Sequence, residues 1–431
     1  MQHSSVVLPS SFVAGSPQLG FELTRLLAPE QAIIAYFARV EIVPPGVEHV
    51  TLEEATGRVL AQDAVAREDH PSHRRSTMDG FALAAATAGT RLHVGAEVLM
   101  GTAPARALVA GEAMRVPTGG AVPDGADAVV PQEDVEVEGD AIVLRGDVRP
   151  ADYITQRAED VRSGETVLPA GRRLGGPELG VLATLGITSI AVYRRPRVGI
   201  LSTGDELVDP AQLPAVGQVR DSNRYAIAAA LTALGAEPVH LPRAADTLES
   251  LRAAVLAALE RCDALVTTGG SSVGARDLMP LVVGELGAPG AVVHGLRVKP
   301  GKPTLLAAVG PKPVIGLPGN PASSLMILEA VVRPIVLALT GERGGRAGSV
   351  EAVARVPFSG RAGWTWFVPA RLYVSGGRFE AEPLQIRSAQ TSLLARASGY
   401  ATVGEEPSRV EAGESLRITL FSCGGAPVEI A

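Results

Sequence analysis

The sequence predicts a multidomain α/β plus β protein: a doubly wound, mostly parallel sheet domain, helical and β-rich N-terminal domains, and a small C-terminal β-barrel. Three observations carry this expectation. From Arg197, continuous apolar runs such as "RVGILS", "DALVTTGG" and "PVIGLPG" alternate with helical stretches, the pattern of strands buried on both faces by crossover helices. Between about 60 and 157 the chain breaks into short β-like pieces ("RLHVGAEVLMG", "DAVVPQEDVEVEGD", "AIVLRGDV") punctuated by Gly and Pro, which marks a β-rich insertion. After the linker "GERGGRAGS", the segments "VEAVARV", "RFEAEPL" and "SLRITLF" alternate apolar and polar residues, as half-buried strands of a small barrel or sandwich do.

Taken in order, residues 1–19 read as a flexible tail, since "MQHSSVVLPSSFVAGSPQLG" lacks the basic start of a signal peptide. Residues 20–60 with 158–190 form a helical linking domain, because "FELTRLLAPEQAIIAYFARV", "TLEEATGRVLAQDAV" and "GGPELGVLATLGI" space apolar residues as helices do. Residues 61–157 form the β-rich insertion, 191–342 the α/β domain and 347–431 the barrel. Within the α/β domain the strands "RVGILS", "EPVHLP", "DALVTTGG", "TLLAAVG" and "PVIGLPG" alternate with the helices "SNRYAIAAALTALGA", "TLESLRAAVLAALERC" and "LMPLVVGELG", and the long "PASSLMILEAVVRPIVLALTG" closes it.

Composition narrows the function. A net charge of −7 argues against nucleic acid as a partner, which would need a broad basic surface. No run reaches the ~18 apolar residues of a membrane span. The two cysteines, Cys262 and Cys423, have no metal-like spacing and read as buried, reduced thiols of a cytoplasmic protein. Any anion must therefore meet a local basic spot. The only lysines, Lys299, Lys302 and Lys312, all lie within "VKPGKPTLLAAVGPKP", and the rest of the 39 basic residues are arginine. A compact ammonium cannot be replaced freely by a planar guanidinium, so Lys299 and Lys302 read as an anion seat. Lys312, in the turn "GPKP", is expected to be a solvated loop residue.

The polar motifs of the α/β segment share one position. "STGDE" (202–206), "RAAD" (243–246) and "TGGSSVGARD" (268–277) follow strands, "KPGK" (299–302) lies between strands, and "LPGNPASS" (317–324) follows the last one. Loops at the carboxyl ends of strands in an open α/β sheet converge on a ligand crevice. Glycines there let backbone N–H groups approach a phosphate, and Asp205, Glu206, Asp246 and Asp277 would suit a hard divalent cation that bridges phosphate oxygens. Duller readings stand beside these. Asp246 opens "DTLE", Asp277 precedes a helix, and Asp221 and Asn223 in "RDSNRYA" fit helix caps.

The order of these motifs resembles that of the molybdopterin molybdenumtransferase family (MoeA, and the E domain of gephyrin). "STMDGFA" (76–82), "RVPTGGAVPDGADAVV" (115–130), "QRAEDVRSG" (156–164) and "EATGRVLAQDAVA" (54–66) agree with its upstream stretches, so the resemblance runs from about residue 22 to the C-terminus. It implies a MogA-like α/β domain that inserts molybdenum from molybdate into adenylylated molybdopterin and releases AMP with Mg²⁺ assisting. It also implies a homodimer whose crevice is shared between subunits, with molybdopterin adenylyltransferase as a partner. On this resemblance Glu206, Asp246, Asp277, Asp79, Asp160 and Thr118 are catalytic, and the first three bind Mg²⁺. Thr203, Gly204, Asp205, Gly269, Gly270, Ser271, Ser272, Gly274, Lys299, Lys302, Pro318, Gly319, Asn320, Pro321 and Ser323 bind substrate, with molybdate near Ser323. Arg75 stands where the family writes Asn, Phe81 where it writes Tyr, and Pro369 where members often carry a basic residue that Arg371 or Arg361 would replace. The alternatives are the adenylyltransferase itself, which uses a similar α/β domain alone, and a gephyrin-like scaffold that binds a peptide. Tungstate matches molybdate in size and charge, so no residue separates the two metals.

Overall fold

The computed structural model describes residues 26–269, 278–345, 347–385, 390–404, 408–422, 424–426 and 428–430. The chain divides into two compact units, residues 43–196 with 337–345, and a second that joins 1–42, 197–336 and 346–431. Cys423 and the loop residues Gly270, Ser271, Ser272, Gly274 and Asp277 lie outside the described residues.

In the second unit a six-stranded sheet is built from β1 (Arg197–Ser202), β2 (Glu237–His240), β3 (Ala264–Thr268), β4 (Pro289–His294), β5 (Leu305–Val309) and β6 (Lys312–Leu317) in the order β2-β1-β3-β6-β5-β4. The first four in that order run parallel; β5 alone is reversed, and β4, antiparallel to β5, points the same way as the first four, so the sheet is mostly parallel as expected. Every residue of β3 is buried, which is why it reads as an unbroken apolar run. Helices Leu248–Arg261 and Met279–Leu286 pack together and contribute Leu251, Val255, Met279 and Val282 to one core against Leu201 and Leu265 of the sheet. Helix Asn223–Ala233 packs instead with Pro321–Ile327. A helix from Pro321 to Thr340 is long and apolar enough to cross a membrane, yet most of it is buried as core. It widens to a π turn at Leu328–Val332 just before Pro334, whose ring carries no N–H to continue an α-helical ladder. Glu329 of this turn is buried; it accepts the Ser422 hydroxyl at 2.7 Å and pairs with Arg333 at 3.7 Å.

The C-terminal strands β7 (Ser349–Ala354), β8 (Thr365–Ser375), β9 (Arg378–Pro383), β10 (Gly399–Val403) and β11 (Ser415–Leu420) close into a barrel. The ladder runs β8-β9-β7-β11-β10 and returns to β8, because the long β8 pairs with β9 along its second half and with β10 along its first. Closure removes the open edges that an isolated sheet would expose.

The first unit holds a six-stranded sheet over residues 80–144 around Phe81, Leu83, Ile142 and Leu144, with helix Gly176–Thr184 where the spacing predicts one. The helix expected over 51–65 is absent. Gly57 turns the chain at φ +73°, Val59 and Leu60 bridge to Arg173 and Val192, and Ala64–Val65 is a short strand. Ala55, Leu60 and Ala64 do share one core, but turns and short bridges bring them there, not a helix face.

Candidate functional site

The crevice of the α/β sheet is built from its strand ends. Thr203, just past β1, is buried and donates its N–H to Thr268 O at 3.0 Å. Gly204 follows at φ +135°, and the Glu206 carboxylate folds back over it: a side-chain carbon there would lie 2.7–2.9 Å from three carboxylate atoms. Gly269, at the end of β3 and φ +86°, has equally little room, since a side-chain carbon would stand 2.5 Å from Thr203 O. A side-chain carbon on Gly319, after β6, would come 3.8 Å from Gly269 Cα. Bare backbone from three neighbouring strand ends thus meets at one place, as a phosphate cradle requires.

Three carboxylates gather beside it. Partial burial pushes the Asp246 carboxyl above its ordinary range, the Asp205 charge adds to this, a hydrogen bond from Thr203 opposes it, and the Glu206 charge raises it further. Like charges sharing a site disfavour ionisation together, and a cation relieves that cost. Asp246 is not the helix cap that "DTLE" allowed. The cap of helix Leu248–Arg261 is Thr247, whose hydroxyl oxygen accepts from Ser250 N at 3.3 Å.

The "LPGNP" turn is tied down from within and from outside. Ser324 donates its hydroxyl to Pro318 O at 2.9 Å and its N–H to Asn320 O at 2.9 Å, while Pro321 occupies the first helical position and Ser323 is buried. Asn223 reaches across from the next helix and donates to Gly319 O at 2.7 Å. A cap reading hides this tie. Asp221 does behave as a cap, accepting from Arg224 N at 3.3 Å.

The "KPGK" loop is tied by its own hydrogen bonds. Lys302 O accepts from the N–H groups of Leu296 (2.8 Å) and Thr304 (3.0 Å), and Thr304 donates its hydroxyl to Gly301 O at 2.7 Å. Gly301 lies against Ile327 of the helix that carries Pro321 and Ser323. Both Lys299 and Lys302 are exposed, and the Lys299 ammonium stands 4.4 Å from the centroid of the Trp366 ring. Lys312 is not the solvated residue expected from its turn: it is half-buried and its ammonium donates to Leu259 O, in the last turn of helix Leu248–Arg261.

In the other unit, Asp79 Oδ1 accepts both the N–H (2.7 Å) and the hydroxyl (3.0 Å) of Thr118, and these bonds hold its carboxyl below the usual range. Gly80 is demanded by Val130 O, which would stand 2.0 Å from a side-chain carbon. A cavity of about 200 Å³ opens here, lined by Asp79, Phe81, Glu97, Arg115, Pro117 and Gln132, with the Arg115 guanidinium 5.2 Å over the Phe81 ring. The spaced motifs contain Arg115 and Gln132 or lie beside them, but no property of the sequence singles them out. Asp160 is exposed in a turn where its N–H meets His70 O at 3.2 Å. Arg75 takes part in a short ladder opposite Thr155. Pro369 is buried in β8 opposite Tyr400, and Arg371 is already paired with Glu429 at 3.5 Å.

Comparison with known proteins gives these sites a family. Residues 27–186 match the MoeA N-terminal region (domain I and II), 199–338 a probable molybdopterin binding domain, and 351–421 the MoeA C-terminal region (domain IV). A molybdopterin molybdenumtransferase of Haemophilus influenzae is 30% identical over 385 residues, covering 88% of this chain and 95% of that protein. The chain belongs to the molybdopterin molybdenumtransferase (MoeA) family. It is a transferase of molybdenum cofactor biosynthesis. A family member of the same name from Bacillus subtilis is 32% identical, covering 87% of this chain and 90% of its own length. Among solved structures, the molybdopterin biosynthesis moeA protein of Pyrococcus horikoshii OT3 superposes with a TM-score of 0.80 at 28% identity, over 92% of this chain and all of that one. The multidomain MoeA fold, with its MogA-like sheet and terminal barrel, is therefore that of this chain.

Proposed function

We propose that the chain inserts molybdenum from molybdate into the dithiolene of adenylylated molybdopterin and releases AMP. One observation carries the reading: bare glycine backbone at Gly204, Gly269 and Gly319 meets beside the carboxylates Asp205, Glu206 and Asp246. Such a cradle suits the phosphates of an adenylylated substrate, and acidic oxygens beside it suit the cation that accompanies them. Among the described residues no three acidic, His or Cys side chains close around a metal. Mg²⁺ keeps several of its waters and shares substrate phosphate, so it needs no closed protein cage. Glu206 and Asp246, with Asp277, would hold it. When bound it supplies positive charge that polarises the phosphoanhydride.

The chain's own groups do the rest. Lys299 and Lys302 receive the doubly charged tetrahedral oxyanion with the buried Ser323 hydroxyl, as point charges with several N–H donors each. Thr203 and the glycine backbone orient the phosphates, a task the family resemblance also assigns to Gly270, Ser271, Ser272 and Gly274. The Asp79–Thr118 pair and Asp160 complete the site from a second copy of the chain, which makes the enzyme a homodimer in the cytoplasm, supplied by molybdopterin adenylyltransferase.

The test is a liquid-chromatography assay with adenylylated molybdopterin, molybdate and Mg²⁺. AMP and the molybdenum cofactor are expected to form together, and both to fall with Glu206→Gln. ATP-dependent adenylylation of molybdopterin by the purified protein, with no molybdate-dependent AMP release, would overturn the assignment.

A further inference from the structure

The pairing of Lys299 with an aromatic ring asks for an explanation that packing does not supply. The short strand Val298–Lys299 runs parallel to the start of β8, so Lys299 stands in register with Trp366. The indole is fixed from several sides. Trp366 pairs in register with Val403 of β10 and packs against the barrel core. Gly360 leaves it room, since a side-chain carbon there would lie 3.3 Å from the indole Cγ. Against this half-buried ring stands an exposed lysine, a flexible stem that would otherwise sample many rotamers.

We propose that Trp366 is a positioning residue: its π face holds the Lys299 ammonium in the place where the tetrahedral oxyanion is received. An aromatic face does this in a way no carboxylate could. A carboxylate would neutralise the charge and occupy N–H donors, whereas the ring attracts the cation through its quadrupole and accepts little hydrogen bonding. The ammonium therefore stays positive and keeps its donors for the incoming anion. The inference rests on the assignment of Lys299 to the oxyanion seat, and the experiment separates the two.

Molybdate KM and kcat are measured for wild type, Lys299→Met, Trp366→Phe and Trp366→Leu. Lys299→Met is expected to raise molybdate KM strongly. Trp366→Leu raises it about three- to tenfold, as loss of one cation–π contact does, with kcat at saturating molybdate within about twofold. Trp366→Phe falls between Leu and wild type because a smaller ring retains part of the attraction. Unchanged KM in Trp366→Leu with a raised KM in Lys299→Met overturns the positioning role alone; unchanged KM in both removes the seat and the positioning role together. Equal loss in the Phe and Leu variants also overturns it, since packing alone would then explain the effect.

Should the Leu variant fail to fold, Trp364→Phe provides the measurement, because it leaves Trp366 as the sole tryptophan of two. Added molybdate is expected to change its emission saturably, and Lys299→Met in that background to abolish the change. Emission insensitive to molybdate overturns the proposal.

Discussion

Replacing Gly301 by Ala tests whether the lysine loop is built onto the core. Gly301 sits at φ +111°, and an added side-chain carbon would stand 2.2 Å from both Cγ1 and Cδ1 of Ile327, which is fully buried. Neither group can yield cheaply. The backbone strain costs about 1–3 kcal/mol and the overpacking about 1–3 kcal/mol, together roughly 2–6 kcal/mol. At roughly 2–4 °C per kcal/mol for a domain of this size, the melting temperature should fall by about 5–20 °C. Ile327→Ala removes the two clashing carbons; alone it costs about 2–5 kcal/mol. In the double variant the clash disappears while the strain remains, so the two losses should fall short of additivity by about 1–3 kcal/mol. Urea unfolding followed by circular dichroism on the two single variants and the double variant measures this. Strict additivity, or a Gly301→Ala protein within about 0.5 kcal/mol of wild type, would refute the fit between the loop and the helix.

Three further outcomes follow from the geometry. Lys299→Arg and Lys302→Arg should each lower kcat/KM for molybdate by about tenfold although charge is kept, because a planar fork directs its donors differently; wild-type kinetics in both would contradict the seat. Asp246 has a raised carboxyl, chiefly from burial and then Asp205, so the folded state holds its proton more tightly than the unfolded one. Its share of stability is present at low pH and is lost as pH rises through the ordinary value and then the raised one. Melting curves without divalent cation, taken as the difference between wild type and Asp246→Asn, should show that loss; an identical pH slope in both proteins would rule it out. Lys312→Met should cost about 0.5–1 kcal/mol by removing a cation from a helix C-terminus, visible as a shifted urea midpoint with unchanged turnover, whereas no shift would return Lys312 to the solvent.

Much of the α/β domain is legible because its chemistry repeats locally. Each of β1, β3 and β6 is buried along nearly its whole length, and each ends in a glycine-bearing turn that reads directly from the letters. β4 is not legible in this way: "PGAVVH" opens with Pro and Gly, and only its pairing with β5 makes it a strand. The helix expected at 51–65 fails for the opposite reason: Leu52, Ala55 and Val59 keep helical spacing, yet turns and short bridges carry the chain there. Contacts between distant segments leave no local trace. Nothing in "RDSN" announces that Asn223 will grip Gly319 O, and nothing in "WTW" says that one indole will meet a lysine more than sixty positions upstream. The Asp79–Thr118 pair is half legible, since both residues stand out in the sequence but not as each other's partners.

The link from Ser422 to Glu329 bears on how the molecule can be cut. Truncation just before β7 looks harmless on a domain map, because the linker there is rich in Gly and Arg. Yet it would leave Glu329, buried inside a core helix, without the hydroxyl and N–H that Ser422 donates to it, and an acid deprived of its donors in such surroundings weakens the whole helix. The same cut would strip Lys299 of its aromatic neighbour. Where the chain looks severable, the barrel is fastened to the α/β sheet domain at both a buried acid and an exposed amine, so a shortened protein would lose both fastenings in one stroke.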